Sequence, residues 1–174
     1  MSAWKTVRLG EVCEKITDGT HHSPANGPIG DFMYVTAKNI KPWGLDLNDI
    51  SYIDAKTHRE IYSRCDVRRN DVLYIKDGAT TGRVALNTLD KEFSLLSSVG
   101  VLRPGPSLRP KYLLYALQVP AVLDRMLGDM AGVAITRLTI KKLKDSEIPL
   151  APIELQDGIV AETEKQSSRH AEAV

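Results

Sequence analysis

The chain predicts an α+β fold: one globular domain of short mixed and antiparallel strands and helices over residues 1–150, then a stub of C-terminal helix with a polar tail over 151–174. Three observations carry this. Short apolar runs such as Phe32-Met-Tyr-Val-Thr36 and Val72-Leu-Tyr-Ile75 are mixed irregularly with helix-length stretches, unlike the regular alternation of a doubly wound sheet. Turn pairs, Asp18-Gly19 and Asp77-Gly78, follow apolar elements where the chain must reverse. A length of 174 residues suffices for one domain with a real hydrophobic core.

Taken in order, Val7 to Leu9 reads as a short strand. Glu11 to Ile16, apolar at Val12, Cys13 and Ile16, reads as a short amphipathic helix ended by Asp18-Gly19. His21 to Gly30, with two prolines and two glycines, is a loop long enough to be functional. Phe32 to Thr36 is a buried strand, Lys41-Pro-Trp-Gly44 turns the chain, Ile50 to Ile53 is another strand and Ala55 to Arg64 a helix. Val72–Ile75 and Arg83–Leu86 form two strands joined through the loop Lys76 to Thr81, with Gly82 easing the return, as a hairpin or sheet corner. Glu92 to Leu102 is predicted as one central strand with a bend at Ser97-Ser98. Pro110 opens a helix, which Pro120 kinks or restarts and which runs to about Gly128. Thr139 to Leu143 is a helical turn, Ile148 to Leu150 a strand, and Pro152 onward the terminal helix.

No apolar run approaches the roughly 18 residues that cross a bilayer, and the N-terminus lacks the basic-then-apolar pattern of a secretory signal. The expectation is a cytoplasmic protein without membrane contact. Cys13 and Cys65 have no Cys-x-x-Cys spacing, so they read as small apolar residues and not as a zinc site or disulfide framework.

The net charge of +1 hides an asymmetry. Residues 1–144 hold 21 Lys or Arg against 15 Asp or Glu, whereas residues 145–174 hold two against seven. Between Arg103 and Lys144 stand eight basic residues and only Asp124 and Asp129 as acids. A basic body with an acidic tail suits a phosphate-binding domain with a protein-binding extension. A solvated helix surface would look the same.

Two motifs carry the candidate chemistry. Trp4-Lys-Thr-Val-Arg-Leu-Gly-Glu-Val-Cys-Glu-Lys-Ile-Thr-Asp-Gly-Thr-His21 and Asp71-Val-Leu-Tyr-Ile-Lys-Asp-Gly-Ala-Thr-Thr-Gly-Arg83 each run from an apolar element into Asp-Gly followed by hydroxyls and a His or Arg. Such donors on loops beside a rigid scaffold are typical binding groups. A bare turn explains the glycines of the second motif but not Thr80, Thr81 and Arg83, which are ordinary ligands of phosphates and base edges; Lys76 adds a cation at the strand exit. The absence of any Gly-Lys dipeptide excludes a nucleotide-binding P-loop. Asp18, His21 and His22 could be imagined on a metal, but adjacent histidines rarely converge on one ion; a cap and polar loop competes with a binding role. Lys38 and Asn39 leave a strand end, and Asn matches adenine N6 and N7, with a turn cap as the alternative. Arg137, after Ala134-Ile-Thr136, either faces a partner or snorkels.

A third segment, Asp145-Ser-Glu-Ile-Pro-Leu-Ala-Pro-Ile-Glu-Leu-Gln156 followed by Ile159-Val160, completes a pattern over residues 4–165. In motifs, order and spacing the chain resembles the target recognition domain of the specificity subunit of type I restriction-modification systems, whose segment "IPLPPLxEQxxIV" leads into a long helix. The resemblance implies a non-catalytic reader of double-stranded DNA, using one half of a bipartite site through the major groove. It implies a methyltransferase subunit and a restriction subunit as partners, with S-adenosylmethionine, ATP and Mg²⁺ belonging to those partners and no cofactor or metal here. The DNA-binding candidates are Thr20, His21, His22, Lys38, Asn39, Lys76, Thr80, Thr81, Arg83 and Arg137.

Other readings remain: the recognition region of a self-contained DNA methyltransferase or endonuclease, or a protein-interaction remnant. No catalytic motif favours the first. The one acid two residues before a lysine, Asp54-Ala-Lys56, reads as a helix cap, and neither a Gly-x-Ser-x-Gly elbow nor a Pro-Pro-aromatic motif occurs. From Pro152 the chain is similar to the start of the family's spacer helix, which pairs antiparallel with a second such helix and docks the methyltransferase. Asp157-Gly158 departs from the pattern, Gly costing about 1 kcal/mol in a helix interior relative to Ala. The polar tail beyond Lys165 predicts a shortened helix, through which self-association is possible.

Overall fold

The structure, a computed structural model, describes residues 4–128 and 137–172. In chain order the first elements are β1 (Thr6–Arg8), α1 (Leu9–Val12), β2 (Cys13–Asp18) and β3 (Phe32–Val35). A 3-10 turn (Ala37–Asn39) leads into β4 (Ile40–Lys41), β5 (Gly44–Leu45), β6 (Ser51–Ile53) and α2 (Ala55–Tyr62). Next come β7 (Val72–Ile75), β8 (Val84–Leu86), β9 (Phe93–Leu95) and β10 (Val99–Pro104). Helices α3 (Pro110–Ala116), α4 (Pro120–Leu127) and α5 (Ile140–Asp145), strand β11 (Glu147–Pro149) and helix α6 (Ile153–Glu172) follow.

The frame is an antiparallel sheet of order β2-β10-β7-β8. Its strand β7 is buried throughout, and period-two alternation divides its residues between two cores. Val72 and Tyr74 join Ile16, Val84, Leu102, Tyr112, Leu113, Val122 and Leu143 under the C-terminal helices. Leu73 and Ile75 face Val35, Ile40, Cys65, Phe93 and Leu95 on the other side. That second layer is the sheet β6-β3-β9, in which β3 runs parallel to β9 and antiparallel to β6. Residues 4–9 return to the C-terminal half, where β1 pairs with β11.

Propensity fails at two places because pairing overrides it. Of the stretch predicted as a helix from Glu11 to Ile16, only Glu11 and Val12 are helical, as the end of α1; from Cys13 the chain is β2, held along β10 with Ile16 opposite Leu102 and Thr17 opposite Val101. The single strand predicted over Glu92–Leu102 is two. It breaks at Leu96–Ser98, so that β9 enters one sheet and β10 the other. The Lys41–Gly44 turn is the tip of a small hairpin, β4 with β5. Elsewhere chemistry and structure agree. The Asp54 carboxylate caps α2 by accepting from the Lys56 and Thr57 amides, and Pro110 and Pro120 each open a separate helix.

Helix α6 runs past Lys165 to Glu172, further than the polar tail suggested, its hydroxyls bonding back one turn (Ser167 Oγ to the Thr163 carbonyl). Its base is tied to the body by Gln156, fully buried, whose carbonyl accepts from the Arg109 amide and whose NH₂ donates to the Ser107 and Ala151 carbonyls. Gly158 is exposed, with open space where a side chain would stand.

Candidate nucleic-acid interface

Strand register brings four segments to one end of the four-stranded sheet. Asp18 ends β2 opposite Gly100, Val99 opens β10 opposite Ile75, and Ile75 and Val84 bound the β7–β8 turn. Turn backbones then interlock: the Thr20 amide donates to the Leu95 carbonyl at 2.8 Å and the Ser97 amide to the Thr20 carbonyl at 2.8 Å. The Lys76 amide donates to the Ser98 carbonyl at 2.9 Å, and the Leu138 amide to the Lys76 carbonyl at 2.7 Å. Gly19 is required by space, since a Cβ there would lie 1.9 Å from the Leu95 carbonyl oxygen. Gly82, at φ 96°, turns the chain so that its amide reaches the Ile75 carbonyl at 2.8 Å.

An ionic network welds the two sequence motifs together. Lys76, 2 % exposed, sets its Nζ 3.0 Å from Asp77 Oδ2 and 3.4 Å from Asp18 Oδ2. Asp18 is also held by Arg64 Nη1 at 3.1 Å and approached by His21 Nε2 at 3.4 Å. Asp77 Oδ1 faces Arg137 Nε at 3.4 Å across a β-bridge of the two residues. A lysine this deep is tolerated because two carboxylates compensate it.

The ten candidates therefore divide. Thr20, His21, His22, Lys76, Thr80, Thr81, Arg83 and Arg137 gather at this end of the sheet. His21, His22 and Arg137 are exposed, Thr20, Thr80, Thr81 and Arg83 half-buried. Thr20 Oγ1 donates to the His22 carbonyl at 3.0 Å, and Thr81 Oγ1 to the Gly78 carbonyl at 2.7 Å, so both hydroxyls stiffen their turns. Arg83 pairs with neither Asp71 nor Asp77; its Nη1 donates to the Ile40 carbonyl at 3.4 Å. Lys76 is too buried to be a direct contact and acts between the loops. Asn39 is buried and fully used: its Oδ1 accepts from the Thr36 amide at 3.0 Å, and its Nδ2 donates to the Asp46 and Asp49 carbonyls. The turn-cap alternative describes it, and no amide edge is left for a base. Lys38 is exposed and paired with Asp49 at 2.9 Å. The segment Ala134–Thr136 lies outside the described residues.

Arg64 was not anticipated. It stands at the end of α2, far in sequence from Asp18, and its guanidinium also donates to the Gly19 carbonyl; nothing in its local sequence signals this. The Ser97-Ser98 pair inside an apolar run suggests satisfied buried hydroxyls, yet Ser98 Oγ is buried beside the same turns with no hydrogen-bond partner among the described residues.

Imidazole, hydroxyl and guanidinium groups thus stand together on interlocked turns at the end of a rigid sheet, a candidate loop-borne binding surface. Burial pushes both cysteine thiols up to about 12, far from nucleophilic at neutral pH. The chain belongs to the family of type I restriction modification DNA specificity domains, whose model matches residues 1–163. Among solved structures it is similar to a chain from work on complex assembly and conformational transition of the type I R-M system, with 24% identity over 99% of this chain and 40% of that one, TM-score 0.72. It is also similar to the HsdS subunit from Thermoanaerobacter tengcongensis (23% identity, 98% and 39% covered, TM-score 0.67) and to a type I restriction-modification S subunit from M. genitalium (20% identity, 97% and 40% covered, TM-score 0.58). These likenesses show the fold, and the chain spans about two fifths of the length of those solved chains. No curated protein matches.

Proposed function

We propose that this chain reads duplex DNA as one target recognition domain of a type I specificity subunit, with the interlocked turns at the Asp18 and Lys76 end of the sheet as its contact surface. The observation that carries the reading is the union of the two signature motifs through Asp18, Lys76 and Asp77, which sets His21, His22, Arg83 and Arg137 around one rigid end. His, Thr and Arg there supply donors for phosphates, and Arg83 a fork for a guanine edge. Lys76 and Arg64 are positioning residues that hold the Asp-Gly turns. On this reading the domain serves one half of a bipartite site. Helix α6 begins the spacer toward a methyltransferase subunit, a restriction subunit completes the assembly, and S-adenosylmethionine, ATP and Mg²⁺ act in those partners.

The test is binding of the purified chain to duplex DNA across a salt series, together with sequences enriched from a random pool. Affinity falls steeply as salt rises, because phosphate contacts release counterions. Arg83→Ala costs about 1–3 kcal/mol on enriched sequences and much less on random duplex. No binding at low salt, or binding indifferent to salt, overturns the reading.

A further inference from the structure

Trp43 is 78 % exposed, the most exposed aromatic side chain among the large apolar residues left at the surface. It stands at the tip of the β4–β5 ribbon, where Ile40 pairs with Leu45 and Lys41 with Gly44. The ribbon's base is rigid. Buried Asn39 bonds both sides of it, and the Asp46 amide donates to the Asn39 carbonyl at 2.8 Å. Gly44, at φ 131°, closes the tip.

Solvating so large an indole on so well-braced a support has a cost that folding does not explain, and scattered surface apolars are seldom this large. Two facts point to the occupant. The ribbon touches the proposed DNA surface, because the Arg83 guanidinium donates to the Ile40 carbonyl at its base. The ribbon itself also carries a cation, Lys41, while Lys38 at its base is paired with Asp49. Apolar side chains placed between base steps from the minor groove are an established way to hold a deformed duplex.

We propose that the β4–β5 ribbon is a second DNA-contacting element, with Trp43 as an aromatic wedge set against a base step. This rests on the DNA-reading proposal above and adds an element that the two signature motifs do not contain. Lys41 lies on the same ribbon as a phosphate partner. The competing occupant is an apolar protein segment, since Trp43 also closes a cleft of about 470 Å³ with Leu47, Leu86, Leu89 and Leu114.

The chain has two tryptophans, so Trp4→Phe leaves Trp43 as the sole indole reporter. That variant is titrated with end-labelled random-sequence duplex at low salt, reading indole emission and DNA anisotropy together. The expected result is a quench that saturates with the anisotropy. Trp43→Ala is expected to lose roughly 5- to 100-fold in affinity, the range set by base–aromatic stacking, with melting temperature unchanged and partial recovery in Trp43→Phe. Anisotropy that rises while emission stays constant, or undiminished binding by Trp43→Ala, overturns the wedge and leaves the DNA-reading proposal standing. No anisotropy change overturns both. A quench produced by a methyltransferase subunit and not by DNA assigns the ribbon to protein docking and overturns the inference.

Discussion

Both ends of the β2-β10-β7-β8 sheet carry a cation between two aspartates, but they are built differently. At the far end Arg103 grips Asp71 with two parallel bonds, Nε and Nη2 each at 2.9 Å, and its Nη1 lies 3.4 Å from Asp66. Asp66 is further held by Lys15 and by Arg68 at 2.6 Å. The planar fork matches the carboxylate and is largely buried. At the near end Lys76 offers a point charge shared by carboxylates from two different turns, at 3.0 and 3.4 Å. One arrangement ties the ends of neighbouring strands together, Lys15 of β2 and Arg103 of β10 meeting the Asp66 and Asp71 carboxylates that precede β7. The other ties two turns together, with the exposed His21 and Arg137 on its outer side, at 3.4 Å from Asp18 and Asp77. Similar charges thus join strands at one end and turns at the other.

The strongest test of that contrast removes each central cation. Lys76→Met leaves two carboxylates without their shared lysine and is expected to cost about 3–5 kcal/mol in urea unfolding; a loss well below this would show that the pairing is not made in solution. Arg103→Met is expected to cost a similar amount through Asp71. The two variants should separate in DNA binding per folded molecule: Arg103→Met keeps it and Lys76→Met lowers it. Equal effects of the two would erase the difference between the two ends of the sheet.

A smaller effect comes from acid. Burial alone would raise the Asp66 carboxyl, but the hydrogen bond from Lys15, the Arg103 charge and the bond from Arg68 hold it at about 2. A carboxylate depressed in the folded state stabilises it above its unfolded pKa of about 3.9. That contribution is lost as pH falls from about 4 through 2. Unfolding free energies measured across this window should decline, and Asp66→Asn should flatten the decline. An unchanged slope in the variant would remove Asp66 from the far-end network.

The smallest expected effect concerns the surface pair Arg109–Asp157, whose nitrogen and oxygen stand 3.3 Å apart with both side chains mostly exposed. Asp157→Ala should change stability by no more than about 0.5 kcal/mol. A cost above 1 kcal/mol would make α6 an energetic part of the body beyond its Gln156 anchor.

That pair also corrects the charge pattern. The linear sequence separates a basic body from an acidic tail, yet α6 packs along α3, so that Asp157 meets Arg109 and Glu164 meets Lys111 at 2.7 Å. The Lys111 bond holds the Glu164 carboxyl below its usual range. Much of the surplus between Arg103 and Lys144 is therefore answered inside the domain: Arg103 by Asp71, Arg137 by Asp77 and Lys141 by Asp145. A charge count along a chain does not see which acids fold back onto which bases.

Local chemistry was legible where a few adjacent residues decide the outcome. Asp54 as a cap and Pro110 and Pro120 as helix starts each depend on backbone dihedrals and bonds within about four residues, and the strand pair around Asp77-Gly78 joins consecutive strands through one turn. The family motifs were legible for the same reason, being contiguous. The strand identity of Cys13–Asp18, the break at Leu96–Ser98, the burial of Lys76 and Asn39 and the reach of Arg64 to Asp18 were not. Each depends on partners dozens of residues away, and pairing with β10 outweighed the modest helical preference of one short segment.

By itself, then, the sequence determined the α+β class, the punctuation of its helices and the contiguous motifs of its family, because propensity, capping and turn chemistry act within one or two turns of chain. Only the tertiary structure decided which residues share a surface. Strand register carried Asp18 to Lys76 and Arg137 to Asp77, consumed Asn39 in a cap and left Trp43 in solvent. Desolvation and hydrogen-bond satisfaction are settled by everything that packs around a side chain, and that neighbourhood exists only once the distant strands have met.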